Sequence, residues 1–147
     1  MSLSAFLAQN AVRAEPVSYI ASPRFLSGES DADGNPVPQH WKIRCMTGAE
    51  TELLQQECVR SVPIPGRPGR YQREMDPAAF TAKMAARCTV YPDLNNKELQ
   101  DSYGVMGAEA LLKAMLTSGE YLEYLRVVQK VNGFHQSDED LEEQAKN

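Results

Sequence analysis

The residue types that carry catalysis and metal binding are scarce in this 147-residue chain, which contains two histidines and three cysteines. Cys45, Cys58 and Cys88 are widely spaced and form no CxxC pair, so neither a disulfide framework nor a zinc knuckle is indicated, and a reducing compartment suits them. The HExxH, EF-hand, GxxxxGK[ST] and GxGxxG patterns are all missing. "PGRPGR" is glycine-rich, but it lacks the preceding strand and following helix of a phosphate loop. A Ser-His-Asp or Cys-His mechanism needs a base beside a nucleophile, and neither His40 nor His135 stands in such a motif. A small hydrolase would require one of them to approach a cysteine in the fold. The expectation is a protein with no catalytic residues, no metal ligands and no cofactor.

Long apolar runs are missing too. A membrane span needs about 20 consecutive apolar residues, and none occurs. The N-terminal "MSLSAFLAQNAVRA" lacks the basic start and continuous apolar core of a signal peptide, so a cytoplasmic location is expected. Positive charge is not in excess either. The net charge is −5, and "SDEDLEEQAKN" (137–147) holds five acids and one lysine, leaving fifteen acids and fourteen bases elsewhere. Such a balance disfavours binding to nucleic acid or an anionic membrane.

One local exception is "RSVPIPGRPGRYQR", where Arg60, Arg67, Arg70 and Arg73 lie within fourteen residues that hold no acid, with Tyr71 placed to stack on a base. The alternative function is therefore a small nucleic-acid-binding adaptor acting through Arg60 to Arg73. Four arginines engage only a few phosphates, so docking of an acidic protein segment, or plain solubility, suits this stretch better.

What the chain does have is an ordinary globular composition, 42% apolar and 24% charged, at a length suited to one domain spanning residues 1–147. Leu3, Phe6 and Leu7 suggest a short first helix from about Ser4 to Asn10, as core or as a docking arm. Val17, Tyr19 and Ala21 alternate, as do Trp41, Ile43 and Cys45, so both segments read as half-buried strands, joined by a loop with Asp33-Gly34 as its turn. Thr47 with Glu50 announces a helix ending near Arg60, and Asp76-Pro77 announces another, with Phe80, Met84, Cys88 and Tyr91 on one face. The arginine-containing stretch between them reads as a loop, because its prolines and glycines break helical periodicity.

Further on, Asn95 and Glu98 suggest a short capped helix that stops at Gly104. Ala108, Leu111, Leu112, Met115 and Leu116 then repeat at helical spacing, as do Tyr121, Tyr124, Leu125 and Val128 after a short break. A break of two or three residues predicts a helical hairpin whose apolar faces meet. The expected fold class is α+β: a mainly α-helical single domain with one N-terminal β-hairpin packed on the helices. The hairpin covers about 17–46, the helical part about 47–134, and the acidic tail 137–147. Leu111, Leu112, Leu125 and Val128 should face the core. Tyr103, Met106, Met115 and Tyr121 add adaptable, amphipathic surface beyond what a small core requires, and are the candidate partner-binding residues.

Several segments together resemble the XkdN-like tail assembly chaperones of phages and defective prophages of Gram-positive bacteria: "MSLSAFLAQNA", "SPRF" with the later "W.IR", "RSVPIPGRPGRY", "CTVYPDLNNKELQDSYGVMGAEALLKAML", "SGEY" and "QKVNGF". The resemblance covers nearly the whole chain. It implies a non-catalytic protein that binds the long helical tape measure protein, keeps it soluble, and helps recruit tail tube protein around it. It also implies action in the host cytoplasm and absence from the mature virion. A tape measure with exposed apolar stripes aggregates unless covered, which makes apolar, many-copy binding, with homo-oligomers as one form of it, physically sensible.

Overall fold

Trp41 and Ile43 are buried while Lys42 between them is exposed, the alternation a half-buried strand requires. In the computed structural model, which describes residues 2–134, this strand, β4 (Trp41–Ile43), is the centre of a three-stranded antiparallel sheet. β1 (Val17–Tyr19) pairs on one side, with Tyr19 opposite Trp41 and Val17 opposite Ile43. β7 (Thr89–Tyr91) pairs on the other, with Thr89 opposite Ile43. The two segments expected to pair do so, but residues between them form a separate hairpin of β2 (Leu26–Ser30) and β3 (Pro36–Pro38). Its turn lies at Asp33-Gly34 as expected, closed by the Asp31 carboxylate, which accepts from the amides of Asp33 and Asn35, each at 2.9 Å.

The helices start where their caps dictate. α1 (Gly48–Glu57) opens with a capping box in which the Thr47 hydroxyl accepts from the Glu50 amide and the Glu50 carboxylate accepts from the Thr47 amide. α2 (Pro77–Cys88) opens with Asp76 accepting from the amides of Ala78 and Ala79, and with Pro77 in the first turn, where a missing N–H costs nothing. α3 (Lys97–Ser102) is capped by Asn96, one residue beyond the expected Asn95. α4 (Ala108–Met115) and α5 (Ser118–Val131) follow, the latter with a second capping box between Thr117 and Glu120.

α2 is the centre of the molecule, packing against both α4 and α5 and, less extensively, α1. Its small residues Ala82, Ala85 and Ala86 are buried and permit close approach, while Met84 and Cys88 fill the space between elements. Leu54, Leu111, Leu112, Val128 and Tyr124 complete the core beneath Trp41. Trp41 and Tyr124 meet edge to face, with ring centroids 5.3 Å apart.

Five expectations are corrected. The fold is α+β, but it is not mainly helical with one N-terminal hairpin: among the described residues seven strands in three small sheets are spread along the chain between five α-helices. The supposed linker is a hairpin of β5 (Val59–Pro63) and β6 (Tyr71–Met75), in register from Val59–Met75 to Pro63–Tyr71. α1 accordingly stops at Glu57, because Val59 and Val62 enter strand pairing rather than a further helical turn. α4 and α5 do not chiefly meet each other, since α2 lies between their apolar faces. The N-terminal helix is only a 3-10 turn at Ser4–Phe6, and it contributes no buried residue. The expected acidic tail and His135 lie outside the described residues.

Candidate functional site

Of the four candidate partner-binding residues, two stand together on one loop. Tyr103 ends α3 and is partly exposed, and Met106, three residues later, is 92% exposed. The loop that carries them is pinned. The Gln100 side-chain amide donates to the Leu94 carbonyl at 2.8 Å and its oxygen accepts from the Gly107 amide at 3.1 Å. The Val105 amide donates back to the Gln100 carbonyl, and the Val105 side chain packs on the core. Met106 is thus held outward by an ordered backbone, so its exposure is not a consequence of a loose loop.

The other two candidates are placed differently. Tyr121 lies in the first turn of α5 and is half-buried against the core, and burial pushes its phenol pKa up. Met115 is 4% exposed and belongs to the core. Helical spacing alone assigned Leu111, Leu112 and Met115 to one stripe, and the structure keeps that stripe intact by burying all three. Leu125 packs against the core, and Val128 is fully buried.

Two clefts flank α2. The first, about 690 Å³, lies between α2 and α4, with Met106 on its rim and Arg44, Lys83, Arg87 and Lys113 on its walls. Lys83 pairs with Glu109 at 3.2 Å, Arg44 with Glu50 at 2.9 Å, and Arg87 with Glu57, so most of its positive charge is already compensated. The second is an apolar groove of Met75, Pro77, Phe80, Met84 and Phe134, in which the Phe80 and Phe134 rings lie 6.4 Å apart. Sequence reasoning missed this groove, although Phe80 and the "NGF" ending at Phe134 were both visible. Their meeting depends on α5 lying across α2.

Further apolar surface lies at the N-terminus, where Leu3, Phe6 and Val12 are 74%, 81% and 97% exposed. The four arginines of the supposed linker are carried by the β5–β6 hairpin, whose residues are mostly exposed on both faces.

No arrangement suited to nucleophilic catalysis is seen among the described residues. His40 is exposed ahead of β4, and neither cleft is lined by a histidine or a cysteine. Burial raises the thiol pKa of Cys88 and Cys58, which keeps both protonated and poorly nucleophilic at neutral pH. No group of three or more histidine, cysteine, aspartate or glutamate side chains among the described residues could hold a metal ion. No helix among them is long and apolar enough to cross a membrane.

The described residues thus present ordered, exposed apolar groups, Met106 foremost among them. The chain is 36% identical over 146 residues to the uncharacterized protein YqbN of Bacillus subtilis (strain 168), covering 99% of this chain and 93% of that protein. It is 32% identical, with the same coverage, to the phage-like element PBSX protein XkdN of the same organism. A crystal structure of YqbN superposes with a TM-score of 0.69 at 29% identity, covering 92% of this chain and 98% of that one. The profile of the phage XkdN-like tail assembly chaperone proteins matches residues 3–146, and with relatives above 30% identity along nearly the full length, the chain belongs to that family.

Proposed function

We propose that this protein is a non-catalytic chaperone of phage tail assembly that binds the tape measure protein through exposed apolar side chains and helps recruit tail tube subunits to it. The observation that carries this reading is Met106, a large apolar residue almost wholly exposed on a loop pinned by Gln100, with Tyr103 beside it. A methionine held in solvent by an ordered backbone is an adaptable contact for a helical partner, because its unbranched thioether fits many apolar surfaces. Action in the host cytoplasm and absence from the finished virion belong to the same proposal.

The test is co-expression with the tape measure protein of the same phage or prophage. The chaperone should raise the soluble fraction of that protein and co-purify with it, and Met106→Ala with Tyr103→Ala should reduce both effects. Unchanged solubility together with no co-purification would overturn the reading.

A further inference from the structure

The β5–β6 hairpin is tied to the body at its base, where Val59 pairs with Met75 and the Asp76 amide donates to the Cys58 carbonyl at 2.8 Å. Beyond that base it is an arm. "IPGRPGR" closes it with two consecutive turns: the Arg67 amide donates to the Ile64 carbonyl, and the Arg70 amide to the Arg67 carbonyl. Each turn has proline second and glycine third, and Gly66 and Gly69 adopt φ of +75° and +78°, as this type of turn demands. The end of the arm is thereby ordered, although a two-stranded hairpin is marginal by itself in water.

No third strand joins the arm among the described residues, so both of its edges are open, and they are not equivalent. The Ile64 amide donates to the Arg70 carbonyl at 3.0 Å, and the Asp76 amide to the Cys58 carbonyl, which makes Ile64 with Arg70 and Cys58 with Asp76 bonded pairs. Bonded and non-bonded pairs alternate along an antiparallel ladder. The backbones of Gln72 and Glu74 therefore turn toward β5, while those of Tyr71, Arg73 and Met75 turn outward, as do those of Val59, Ser61 and Pro63 on β5. Pro63 has no N–H to offer, which interrupts the β5 edge. The β6 edge keeps all its donors.

The side chains along that edge have a definite order. Tyr71, Arg73 and Met75 share one face, because successive side chains of a strand alternate. Met75, at the base, joins Phe80 and Phe134 in the apolar groove, whereas Tyr71 is 64% exposed near the tip. Arg73 has no ion-pair partner among the described residues, and neither do Arg67 and Arg70 in the turns. Arg60, on the opposite face, is held by Glu74 and Asp76, each at 3.5 Å. The edge thus runs from apolar at the base to cationic at the tip.

A strand laid on this edge finds partners for its backbone, and its side chains are selected by those of β6. A second copy of β6 is a poor occupant, since antiparallel pairing centred on Arg73 sets like charges opposite each other. Nucleic acid has no amide ladder to offer and no aliphatic side chain for the groove, and three guanidinium groups neutralise few phosphates. A carboxylate opposite Arg73, by contrast, accepts charge-assisted hydrogen bonds from the guanidinium.

We propose that the β6 edge takes an extended segment of a partner polypeptide as a third strand. That segment carries a carboxylate opposite Arg73, an apolar side chain two positions away over Met75, and a further acid toward Arg70 and Arg67. The inference rests on the ladder and the charge of the arm and does not depend on the chaperone reading.

The full-length protein and the blocked peptide acetyl-Leu-Thr-Glu-Thr-Glu-amide test it by NMR, because this peptide, antiparallel to β6, presents its leucine and both glutamates on one face. Adding the peptide should shift the Tyr71, Arg73 and Met75 amide signals and slow hydrogen exchange at all three. Glutamine in place of both glutamates, or Arg73→Gln in the protein, should weaken binding on the order of tenfold, the worth of one hydrogen bond to a charged group. Methylating the backbone nitrogen of the first glutamate removes the donor to the Arg73 carbonyl and should abolish binding. Unmoved signals at the three amides would overturn the assignment, as would equal binding of the glutamine or N-methylated peptide. Shifts produced only by an oligothymidylate would overturn it in favour of nucleic acid. The peptide variants leave the protein unaltered, so the outcome stands even if Arg73→Gln fails to fold.

Discussion

The hydroxyls of Tyr124 and Thr89 lie 2.6 Å apart inside the core, joining α5 to β7. Thr89 uses its single proton on the Ala85 carbonyl at 2.8 Å, so Tyr124 is the donor and Thr89 the acceptor. Both residues are buried, and together with the edge-to-face contact on Trp41 the bond fixes the depth at which α5 sits on the sheet.

Tyr124→Phe removes the donor and keeps the ring. It should cost about 1 kcal/mol, the usual net worth of one such bond, because Thr89 keeps its own bond to Ala85. Chemical denaturation followed by Trp41, the single tryptophan, measures this directly. An unchanged midpoint would show that the bond contributes nothing net.

Glu120 gives the fold a dependence on acidity. The Thr117 amide and the Ser22 hydroxyl, with Arg24 at 3.2 Å, hold its carboxylate pKa down from 4.5 to about 2. A group with a depressed folded pKa stabilises above its unfolded value and loses that contribution as pH falls through the folded one. Stability should therefore decline between about pH 4.5 and pH 2, and Glu120→Gln should flatten that limb. Arg24 also donates to the Met115 carbonyl at 2.6 Å, so the variant should loosen the junction of α4 and α5. Thermal melts across this pH range provide the check.

Met115 and Met106 should separate folding from binding. Met115→Ala opens a cavity in the core and should cost about 2–5 kcal/mol. Met106→Ala touches a residue 92% exposed and should leave stability within about 0.5 kcal/mol while weakening capture of the tape measure protein. Melting temperatures and pull-downs on the same two proteins decide the matter. Equal loss of binding with no loss of stability in both would contradict this division.

Gly66 and Gly69 set the shape of the β5–β6 arm. Either glycine to alanine places a Cβ on a backbone with positive φ, which should weaken the arm by about 1 kcal/mol or more. Because no other atom lies within 4 Å of the position a Cβ would take, the penalty is conformational and stays local. Hydrogen exchange should quicken at Ile64, Arg67 and Arg70, with the α2 amides unaffected.

The helix starts were legible because their signals are local. Thr47 with Glu50 and Asp76 with Pro77 satisfy orphan amides within one turn, so a few residues suffice to specify them. Asp33-Gly34 was legible for the same reason, as was the inward alternation of Trp41 and Ile43. The β5–β6 hairpin was hidden by its own composition: proline and glycine that break a helix also build paired turns, and only the register from Val59–Met75 to Pro63–Tyr71 distinguishes a hairpin from a loop.

The sequence by itself determined where helices begin, which face of each is apolar, that no catalytic motif is present, and the family that these features resemble. Only the tertiary structure decided what those apolar faces meet. Helical spacing places Leu112 and Met115 on a stripe without naming its partner, and α2, brought between α4 and α5, buries both while the pinned loop leaves Met106 outside. Periodicity is a property of neighbouring residues, whereas burial depends on contacts between residues far apart in the chain.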